Sequence, residues 1–463
     1  MPINSFENYP MSWKPQLSDR TAPIYLKLAK QLEQDIKTGK LKPGDKLPPQ
    51  RELADFLDLN LSTITRTYKI CLEKGLICAK VGQGTFISSD VNSSDILLYS
   101  HEQPSLIEMG TVHPPYNENK KIISFIKNIL TQPDINRFLE YRSPAGTMFQ
   151  RNIITNWLQN FNIISSSEQI LFATGGQNAL CAILLGVFSK GDRIGTDPLN
   201  FTGLKSIAKM LGIKLMPLPT KNYRLDFENI ESFCQTEKIK GLYFIPEQHN
   251  PTTLSLSDND RKFIANLAKK LNLVILEDGI NKVFREEQQL PILSYAPENT
   301  IYIFSTSKFL SAGLRIAYII SSRKYKSLIE NALYNMNLMV SPFSLEIVSK
   351  ILSSDLIENI IKEKKLELIK RNKMVNQILE NYTIYGEETC SFRWLLLPNE
   401  INGIAFEKIA RVNGVQVFSA ERFIIGNAIP PSAIRLCISA PKNIKDLSIG
   451  LHKIKKLLSY QCE

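Results

Sequence analysis

The sequence lacks the features that mark membrane and secreted proteins. No run of about 18 apolar residues occurs, so no transmembrane helix is predicted. Residues 1–20 contain no apolar signal-peptide segment and carry both signs of charge. The seven cysteines are scattered and never spaced as Cys-x-x-Cys, which argues against a disulfide framework and against a zinc site. We therefore expect a cytoplasmic protein with no bound metal.

What the chain does have is length and an excess of basic residues. Its 463 residues are too many for one ordinary domain, and 43% of them are hydrophobic, as in globular proteins with a sizeable core. The formal net charge is +11, yet residues 1–90 contribute only 13 basic against 10 acidic side chains. Because the charge is spread along the chain, it is weak evidence for nucleic-acid binding, and local motifs have to decide.

Residues 21–88, after an N-terminal lead of residues 1–20, have the pattern of a winged helix-turn-helix. Apolar residues recur at helical spacing from 22 to 38, and a short second helix follows Pro48 and Pro49. Asn60 is a plausible cap for a third helix that ends near residue 74. Residues 75–87 then alternate as a strand, a glycine turn and a returning strand. In such a unit the third helix enters the major groove of DNA.

This head resembles the GntR family over about 65 residues. The motifs that carry the resemblance are Pro23-Ile-Tyr25, Gly39-x-Leu-x-Pro43-Gly44, Leu47-Pro48, Arg51-Glu-Leu-Ala54, Thr63-Ile-x-Arg66-x-Tyr68 and Gly82-x-Gly84-Thr-Phe86. The resemblance implies that Arg51, Thr63 and Arg66 contact DNA and that Gly82 lets the wing backbone approach it. Leu61 stands where the family usually has an arginine, so base recognition at that position is expected to differ.

A linker of residues 89–106, rich in Ser, Asn and Asp, leads into a body of residues 107–463. Short apolar runs alternate there with amphipathic helices, which indicates an α/β domain with a mostly parallel sheet covered on both faces. After residue 341 the pattern changes to long helices and scattered strands, as expected for a smaller α+β lobe.

The most informative residue of the body is Lys308, which comes just after the apolar run 301–304. Open α/β sheets bind their ligands at such strand ends. A primary amine there, flanked by the hydroxyls of Ser305 and Ser307 and followed by Arg315, can bind an aldehyde cofactor as a Schiff base while its neighbours hold a phosphate.

Other strand ends supply complementary groups. Gly176 and Gln177 open a helix whose N–H groups favour a phosphate. Phe201 could stack on a flat ring, and the Asn250 amide could donate to a ring oxygen. Asp278 could keep a pyridine nitrogen protonated. Together these contacts describe a site for pyridoxal phosphate.

In this order of residues the body resembles the fold-type I aminotransferases over some 350 residues. The resemblance implies that Ser305 and Arg315 hold the phosphate with Gly176 and Gln177. It also implies that Tyr141 reaches the phosphate of a partner subunit in a homodimer, and that Arg435 binds a ligand carboxylate.

Two departures from that family concern catalysis. Aminotransferases place a tyrosine two or three residues after the ring-binding aspartate, whereas this chain has Ile280 and Asn281 there. The usual His-Gln pair before the asparagine is replaced by Gln248 and His249. Cofactor binding is expected to survive, while efficient transamination is called into question.

Head and body together resemble the MocR subgroup of GntR regulators. The first hypothesis is a transcription regulator that binds double-stranded DNA, holds pyridoxal phosphate on Lys308 and senses an amino compound or the cofactor itself. A second hypothesis is a working aminotransferase with a regulatory head. A third is a regulator that no longer binds the cofactor.

Overall fold

A computed structural model describes residues 11–15, 23–41, 44–74, 76–80, 84–88, 106–115, 119–133, 135–398 and 401–460. The chain divides into two compact units, Met1–Tyr99 and Ser100–Glu463. The predicted linker lies outside the described residues except for its last residue, and Gly82 of the predicted wing also lies outside them.

The first unit has the predicted winged helix-turn-helix. Its elements are α1 (Ile24–Lys37), α2 (Gln50–Leu57), α3 (Leu61–Glu73), β1 (Ile77–Lys80) and β2 (Gly84–Ile87). Asn60 caps α3 as expected, because its side chain accepts a hydrogen bond from the Ser62 N–H at 2.9 Å. The strands β1 and β2 form an antiparallel pair in which Ile77 lies opposite Ile87.

The core of this head extends into the predicted N-terminal lead. Trp13 is 2% exposed and packs with the buried leucines of α1 and α2. Its indole N–H donates to Asp35 Oδ2 of α1 at 2.9 Å. Residues 11–15 therefore contribute to the stability of the head, which the composition of the lead did not indicate.

The second unit is built on a sheet of seven strands in the order β4-β12-β11-β10-β9-β5-β6. All neighbours pair in parallel except β12, which is antiparallel to β4 and to β11. The elements up to this sheet's last helix are β3 (Ile107–Glu108), α4 (Asn119–Leu130), α5 (Met148–Leu158), β4 (Ile170–Ala173), α6 (Gly176–Val187), β5 (Arg193–Thr196), α7 (Thr202–Leu211), β6 (Lys214–Pro217), β7 (Thr220–Lys221), β8 (Arg224–Leu225), α8 (Phe227–Thr236), β9 (Gly241–Phe244), α9 (Asp258–Leu271), β10 (Val274–Asp278), α10 (Ile292–Tyr295), β11 (Thr300–Ser305), β12 (Ala317–Ile320) and α11 (Arg323–Asn337).

Both faces of the sheet are covered, as predicted. Along β11, Tyr302 and Phe304 belong to one apolar cluster, while Ile301 and Ile303 belong to the cluster on the other face. This alternation follows from the two-residue period of a strand. Because β4, β5, β9, β10 and β11 run in the same direction, their carboxyl ends meet at one edge of the sheet, and the candidate cofactor residues follow those ends.

A smaller lobe completes the second unit. It is reached through α12 (Pro342–Leu352) and α13 (Leu356–Ile378), and it contains β13 (Ile384–Tyr385), β14 (Phe392–Leu396), α14 (Gly403–Val412), β15 (Val415–Gln416), β16 (Phe418–Ser419), β17 (Ala433–Cys437) and α15 (Ile444–Tyr460). The helix α13 joins the two cores, since Leu368 packs in the large one and Val375 in the small one. Among the described helices, none has the length and apolarity needed to cross a membrane.

Candidate functional site

A phosphate cradle lies where β4 ends and α6 begins. Gly175 has φ +88°, and a Cβ added to it would lie 2.1 Å from the Arg315 guanidinium. Glycine is therefore needed both for the turn and for the approach of the arginine. The Ser305 hydroxyl lies 3.1 Å from that of Ser307 and faces the start of α6, where a Cβ on Gly176 would be 3.5 Å from Ser305 Cβ. Hydroxyls, a guanidinium and a helix N-terminus thus converge, as an anionic group requires.

The amine of Lys308 lies beside this cradle. Its Nζ donates to the Val112 carbonyl at 2.7 Å. Burial lowers the pKa of the amine to about 8, and the nearby Arg435 and Arg315 lower it as well. With this pKa, about a tenth of the molecules carry the neutral, nucleophilic amine at pH 7.

Asp278 ends β10 with a buried carboxylate. Its Oδ2 accepts a hydrogen bond from the Tyr243 hydroxyl at 2.8 Å, and its Oδ1 accepts from the Ile280 N–H at 3.3 Å. Burial raises the pKa of this carboxyl to about 6, while both hydrogen bonds and Lys308 act in the opposite direction. The side chain is therefore an anion at neutral pH, as a partner for a protonated ring nitrogen must be.

Arg435 of β17 brings the small lobe to the same place. Its guanidinium is 4% exposed and donates to Asn250 Oδ1 and to the Gly110 carbonyl. The rings of Phe392, Phe418 and Phe423 surround the guanidinium, with centroids 5.6, 5.5 and 4.7 Å from it. No residue of the described chain accepts a hydrogen bond from its Nε. Burial lowers the pKa of this guanidinium to about 10, although the charge of Glu108 acts in the opposite direction. The Nε–H that has no acceptor among the described residues suits the group to an incoming carboxylate.

Two further candidate residues meet at the start of α7: Phe201, which precedes this helix, and Gln177 of α6. The Gln177 amide donates to the Gly203 carbonyl at 3.2 Å. A Cβ on Gly203 would lie 2.3 Å from both Gln177 Oε1 and Phe201 Cε1, so glycine makes room for the two side chains. Phe201 is half-buried, which leaves part of its ring available for stacking.

The two positions that should hold the missing tyrosine do not provide a hydroxyl. Ile280 is apolar, and the Asn281 amide donates to the carbonyls of Glu247 and Gln248 at 3.4 and 3.0 Å. Asn281 therefore holds two loops together rather than replacing the phenol.

The side chain of Tyr141 is 82% exposed, unlike the buried side chains of Asp278 and Arg435. It belongs to a set of exposed apolar side chains that includes Leu139, Met148, Phe149 and Ile164. Among the described residues, no hydrogen bond joins Tyr141 to the phosphate cradle of its own chain, although its neighbour Arg142 and the cradle residue Arg315 both form hydrogen bonds.

Sequence reasoning missed the segment 108–112. Glu108 Oε1 accepts hydrogen bonds from the N–H groups of Gly110 and Thr111, at 2.7 and 2.8 Å. This turn presents the carbonyls of Gly110 and Val112 to Arg435 and Lys308. Backbone carbonyls cannot be recognised from the residue types alone. The sequence indicates this turn only through Glu108, Gly110 and Thr111, which form its hydrogen bonds.

In the head, the predicted DNA-contacting residues lie on α2 and α3. Arg51 and Arg66 are exposed and Thr63 is half-buried. The Arg66 guanidinium lies over the Tyr25 ring, 4.3 Å from its centroid, which restricts the side chain without removing its charge. Leu61 begins α3 and is 40% exposed.

Known proteins resemble both units. Residues 24–87 match the family of bacterial regulatory proteins of the gntR type, and residues 104–454 match the aminotransferase class I and II family. The HTH-type transcriptional regulator YdeF of Bacillus subtilis is 43% identical over 458 residues, 99% of each chain. The chain belongs to the MocR-type GntR regulators.

Other relatives agree with this family. The HTH-type transcriptional regulator YcxD of B. subtilis is 23% identical, over 94% of this chain and 99% of its own. Among solved structures, an archaeal alanine:glyoxylate aminotransferase has a TM-score of 0.72 at 22% identity, covering 81% of this chain and 96% of that one. The α-aminoadipate aminotransferase LysN of Thermus thermophilus, complexed with N-(5'-phosphopyridoxyl)-L-leucine, has a TM-score of 0.70 at 18% identity, covering 80% and 97%. The predicted fold-type I architecture is confirmed.

Pyridoxal phosphate is the cofactor that the aminotransferase domain of this MocR-type regulator implies, and the pocket fits it. A side chain at Gly175 would collide with Arg315, and burial lowers the pKa of the Lys308 amine beside the cradle. The Asp278 carboxylate accepts a hydrogen bond from the buried Tyr243 hydroxyl, which favours its ionised form.

Proposed function

We propose that this protein is a transcription regulator that binds DNA through α3 and holds pyridoxal phosphate on Lys308 to sense an amino compound or the cofactor itself. One observation carries the proposal. A single chain contains exposed arginines on a winged helix-turn-helix and, in its other unit, a buried amine beside a phosphate cradle. We place this activity in the cytoplasm, where DNA and metabolites are both accessible.

The cofactor residues would divide the work by chemistry. Gly176, Ser305, Ser307 and Arg315 would bind the phosphate at the cradle between the end of β4 and the start of α6, and Gln177 of α6 would join them. The bound group supplies an aldehyde carbon that reacts with amines and a ring that withdraws electrons when its nitrogen is protonated.

The remaining residues would act on the ring. Asp278 would pair with the ring nitrogen, Phe201 would cover one ring face, and the Asn250 amide would donate to the ring oxygen. Lys308 would supply its neutral amine to the aldehyde and accept a proton when a ligand amine replaces it.

The signal would be read by Arg435. A ligand carboxylate that forms a bidentate pair with the guanidinium would compete with the Gly110 carbonyl, which accepts a hydrogen bond from the arginine in the ligand-free chain. Replacement of this neutral acceptor by an anion favours a ligand-bound conformation of the small lobe and of the segment 108–112. That segment lies in the first described stretch of the second unit, residues 106–115.

A homodimer is the proposed assembly. The side chains of Leu139, Tyr141, Phe149 and Ile164 are exposed, and their burial against a second copy would be favourable. Tyr141 would then reach the phosphate of the partner subunit. Two heads on one DNA duplex would also bind far more tightly than one.

A working aminotransferase is the second candidate, because Lys308, Asp278 and Arg435 are all compatible with turnover. Ile280 argues against efficient turnover, since no hydroxyl at positions 280 or 281 can tune the cofactor. Amino-group transfer measured across a panel of amino acids and keto acids, without DNA, distinguishes the two. Sustained multiple turnover would contradict a pure sensor.

The experiment that tests the proposal is selection of duplex DNA from a random-sequence pool by the full-length protein, followed by absorbance spectra after addition of pyridoxal phosphate. We expect a specific duplex to be enriched, and a visible absorbance band that Lys308→Ala abolishes. Enrichment without any cofactor band would support the third hypothesis, a regulator that has lost cofactor binding.

A further inference from the structure

A second phenol lies beside the candidate site, on the strand next to Asp278. Tyr243 belongs to β9, which pairs in parallel with β10. Its hydroxyl donates to Asp278 Oδ2 at 2.8 Å, and both residues are buried, at 0% and 8% exposure. In the sequence, Tyr243 reads as an ordinary core residue of an apolar run.

The hydrogen bond decides which carboxylate oxygen is available. Oδ2 is taken by the short bond from Tyr243, whereas Oδ1 accepts only the longer bond from the Ile280 N–H at 3.3 Å. Oδ1 therefore keeps acceptor capacity for a ring nitrogen, and the carboxylate cannot rotate without breaking its shorter bond.

Several groups act on the charge of Asp278. Burial and the carboxylate of Glu247 raise its pKa, while Tyr243, the Ile280 N–H and Lys308 lower it. Burial and the charge of Asp278 raise the pKa of the Tyr243 phenol far above its usual range, and Asp197 adds to this effect. Asp197 in turn lies 3.6 Å from His249 Nε2. The phenol thus stays protonated at any physiological pH and is a permanent donor.

We propose that Tyr243 is a positioning residue, which holds Asp278 as a carboxylate with Oδ1 free to pair with the ring nitrogen of the bound cofactor. The inference rests on the proposed function, because it assigns a role to Tyr243 only if pyridoxal phosphate occupies this pocket. It also gives the pocket a phenol on the nitrogen side of the ring, while Ile280 leaves the oxygen side without one.

The test compares Tyr243→Phe with a matched control, Tyr302→Phe. Tyr302 is equally buried in β11, one strand from Asp278 on the opposite side, and no described residue accepts or donates a hydrogen bond at its hydroxyl. We expect Tyr243→Phe to weaken pyridoxal phosphate binding about tenfold or more, as for loss of a hydrogen bond to a charged group. Tyr302→Phe should change it less than about twofold.

The pH dependence separates positioning from mere packing. Without the phenol, Asp278 takes up a proton at higher pH, so cofactor binding by Tyr243→Phe should be lost at a higher pH than in the wild type. In an Asp278→Asn background, the Tyr243→Phe substitution should have less than about a twofold effect. An equal effect in both backgrounds, or an unshifted pH profile, would overturn the proposal.

A measurement without cofactor distinguishes this proposal from the proposed function. The folded pKa of Asp278 is raised, so its ionisation costs stability as pH rises from its unfolded value to about 6. Tyr243→Phe should raise that pKa further, so its urea midpoint should fall further below the wild-type midpoint at pH 8 than at pH 5. If the difference between the two urea midpoints did not change with pH, the Tyr243–Asp278 coupling would be refuted. If the difference between the midpoints grew from pH 5 to pH 8 but the wild type bound no cofactor, the proposed function would be refuted, and the cofactor role of Tyr243 with it.

Discussion

The two units bear their functional side chains in opposite environments. In the head, Arg51 and Arg66 are exposed on helices that pack only their apolar faces. In the second unit, Asp278 and Arg435 are buried and held by fixed hydrogen bonds. The difference follows from the ligands that we propose. DNA is a large polyanion that approaches exposed cations, whereas a small cofactor needs groups whose pKa values burial has already changed.

The contrast extends to how each arginine is restrained. Arg66 lies against one tyrosine ring and remains open to solvent. Arg435 is enclosed by phenylalanine rings and occupied by the Gly110 carbonyl. Arg66 can bind an anion directly, while an anion at Arg435 competes with the neutral acceptors that already hold its guanidinium. That competition is the physical basis of a switch.

The largest expected effect is on the buried unit. Lys308→Ala should abolish the visible absorbance of the bound cofactor, because it removes the buried amine that we propose to bind the aldehyde. The absorbance spectrum of the protein dialysed against pyridoxal phosphate checks this. Lys324→Ala, which removes an exposed lysine of α11, is the control and should leave the spectrum unchanged. An identical band in Lys308→Ala would show that the cofactor binds elsewhere.

A smaller effect is expected at the proposed ligand carboxylate site. Arg435→Ala should weaken the binding of an amino acid to the cofactor-loaded protein about 10- to 150-fold, the range for hydrogen bonds to charged groups. The same substitution should weaken much less the binding of the corresponding amine, which has no carboxylate. Spectral titration with both compounds measures the difference. Equal losses for the two ligands would mean that Arg435 supports the fold and does not read a carboxylate.

In the head, we expect single arginine substitutions to weaken DNA binding, with a lower minimum effect than that of Arg435→Ala on ligand binding. Arg66→Ala and Arg51→Ala should each weaken binding to a selected duplex by about 1–3 kcal/mol if the side chain contacts a base. A phosphate contact would instead reduce the salt dependence of binding. The matched control is Lys74→Ala, since that lysine of the α3 end is paired with Glu33 at 3.0 Å. An effect of Lys74→Ala as large as that of Arg66→Ala would undermine the assignment of the surface.

A further effect, a pH dependence, is confined to the buried unit. The pKa of Lys308 is lowered to about 8 from the usual value for lysine, so the neutral amine declines as pH falls below 8. The rate of covalent cofactor uptake by the apo-protein should therefore rise about tenfold from pH 6 to pH 7 and level off above about 8. Stopped-flow absorbance measures this rate, and a rate that does not vary between pH 6 and pH 9 would be inconsistent with a buried, titrating nucleophile. DNA binding by the exposed arginines should not follow the same profile.

The sequence predicted the architecture of both units, and it indicated the candidate cofactor residues, because strand ends and helix caps leave clear local patterns. The α3 cap at Asn60 and the order Gly176, Phe201, Asn250, Asp278 and Lys308 are of this kind. Contacts between distant segments left no such pattern. The carbonyl of Gly110 at Arg435, the indole of Trp13 at Asp35 and the phenol of Tyr243 at Asp278 depend on tertiary packing, which a single sequence does not show.

We propose that ligand binding at the buried site controls DNA binding by the head. This proposal is tested most directly by the Kd of the full-length protein for its selected duplex, with and without pyridoxal phosphate and each of the common amino acids, in the wild type and in Lys308→Ala. We predict that at least one of these compounds changes the wild-type Kd by about 5- to 150-fold, the usual range of allosteric coupling, and leaves the variant unchanged. A Kd that is the same under every condition in both proteins would contradict the account.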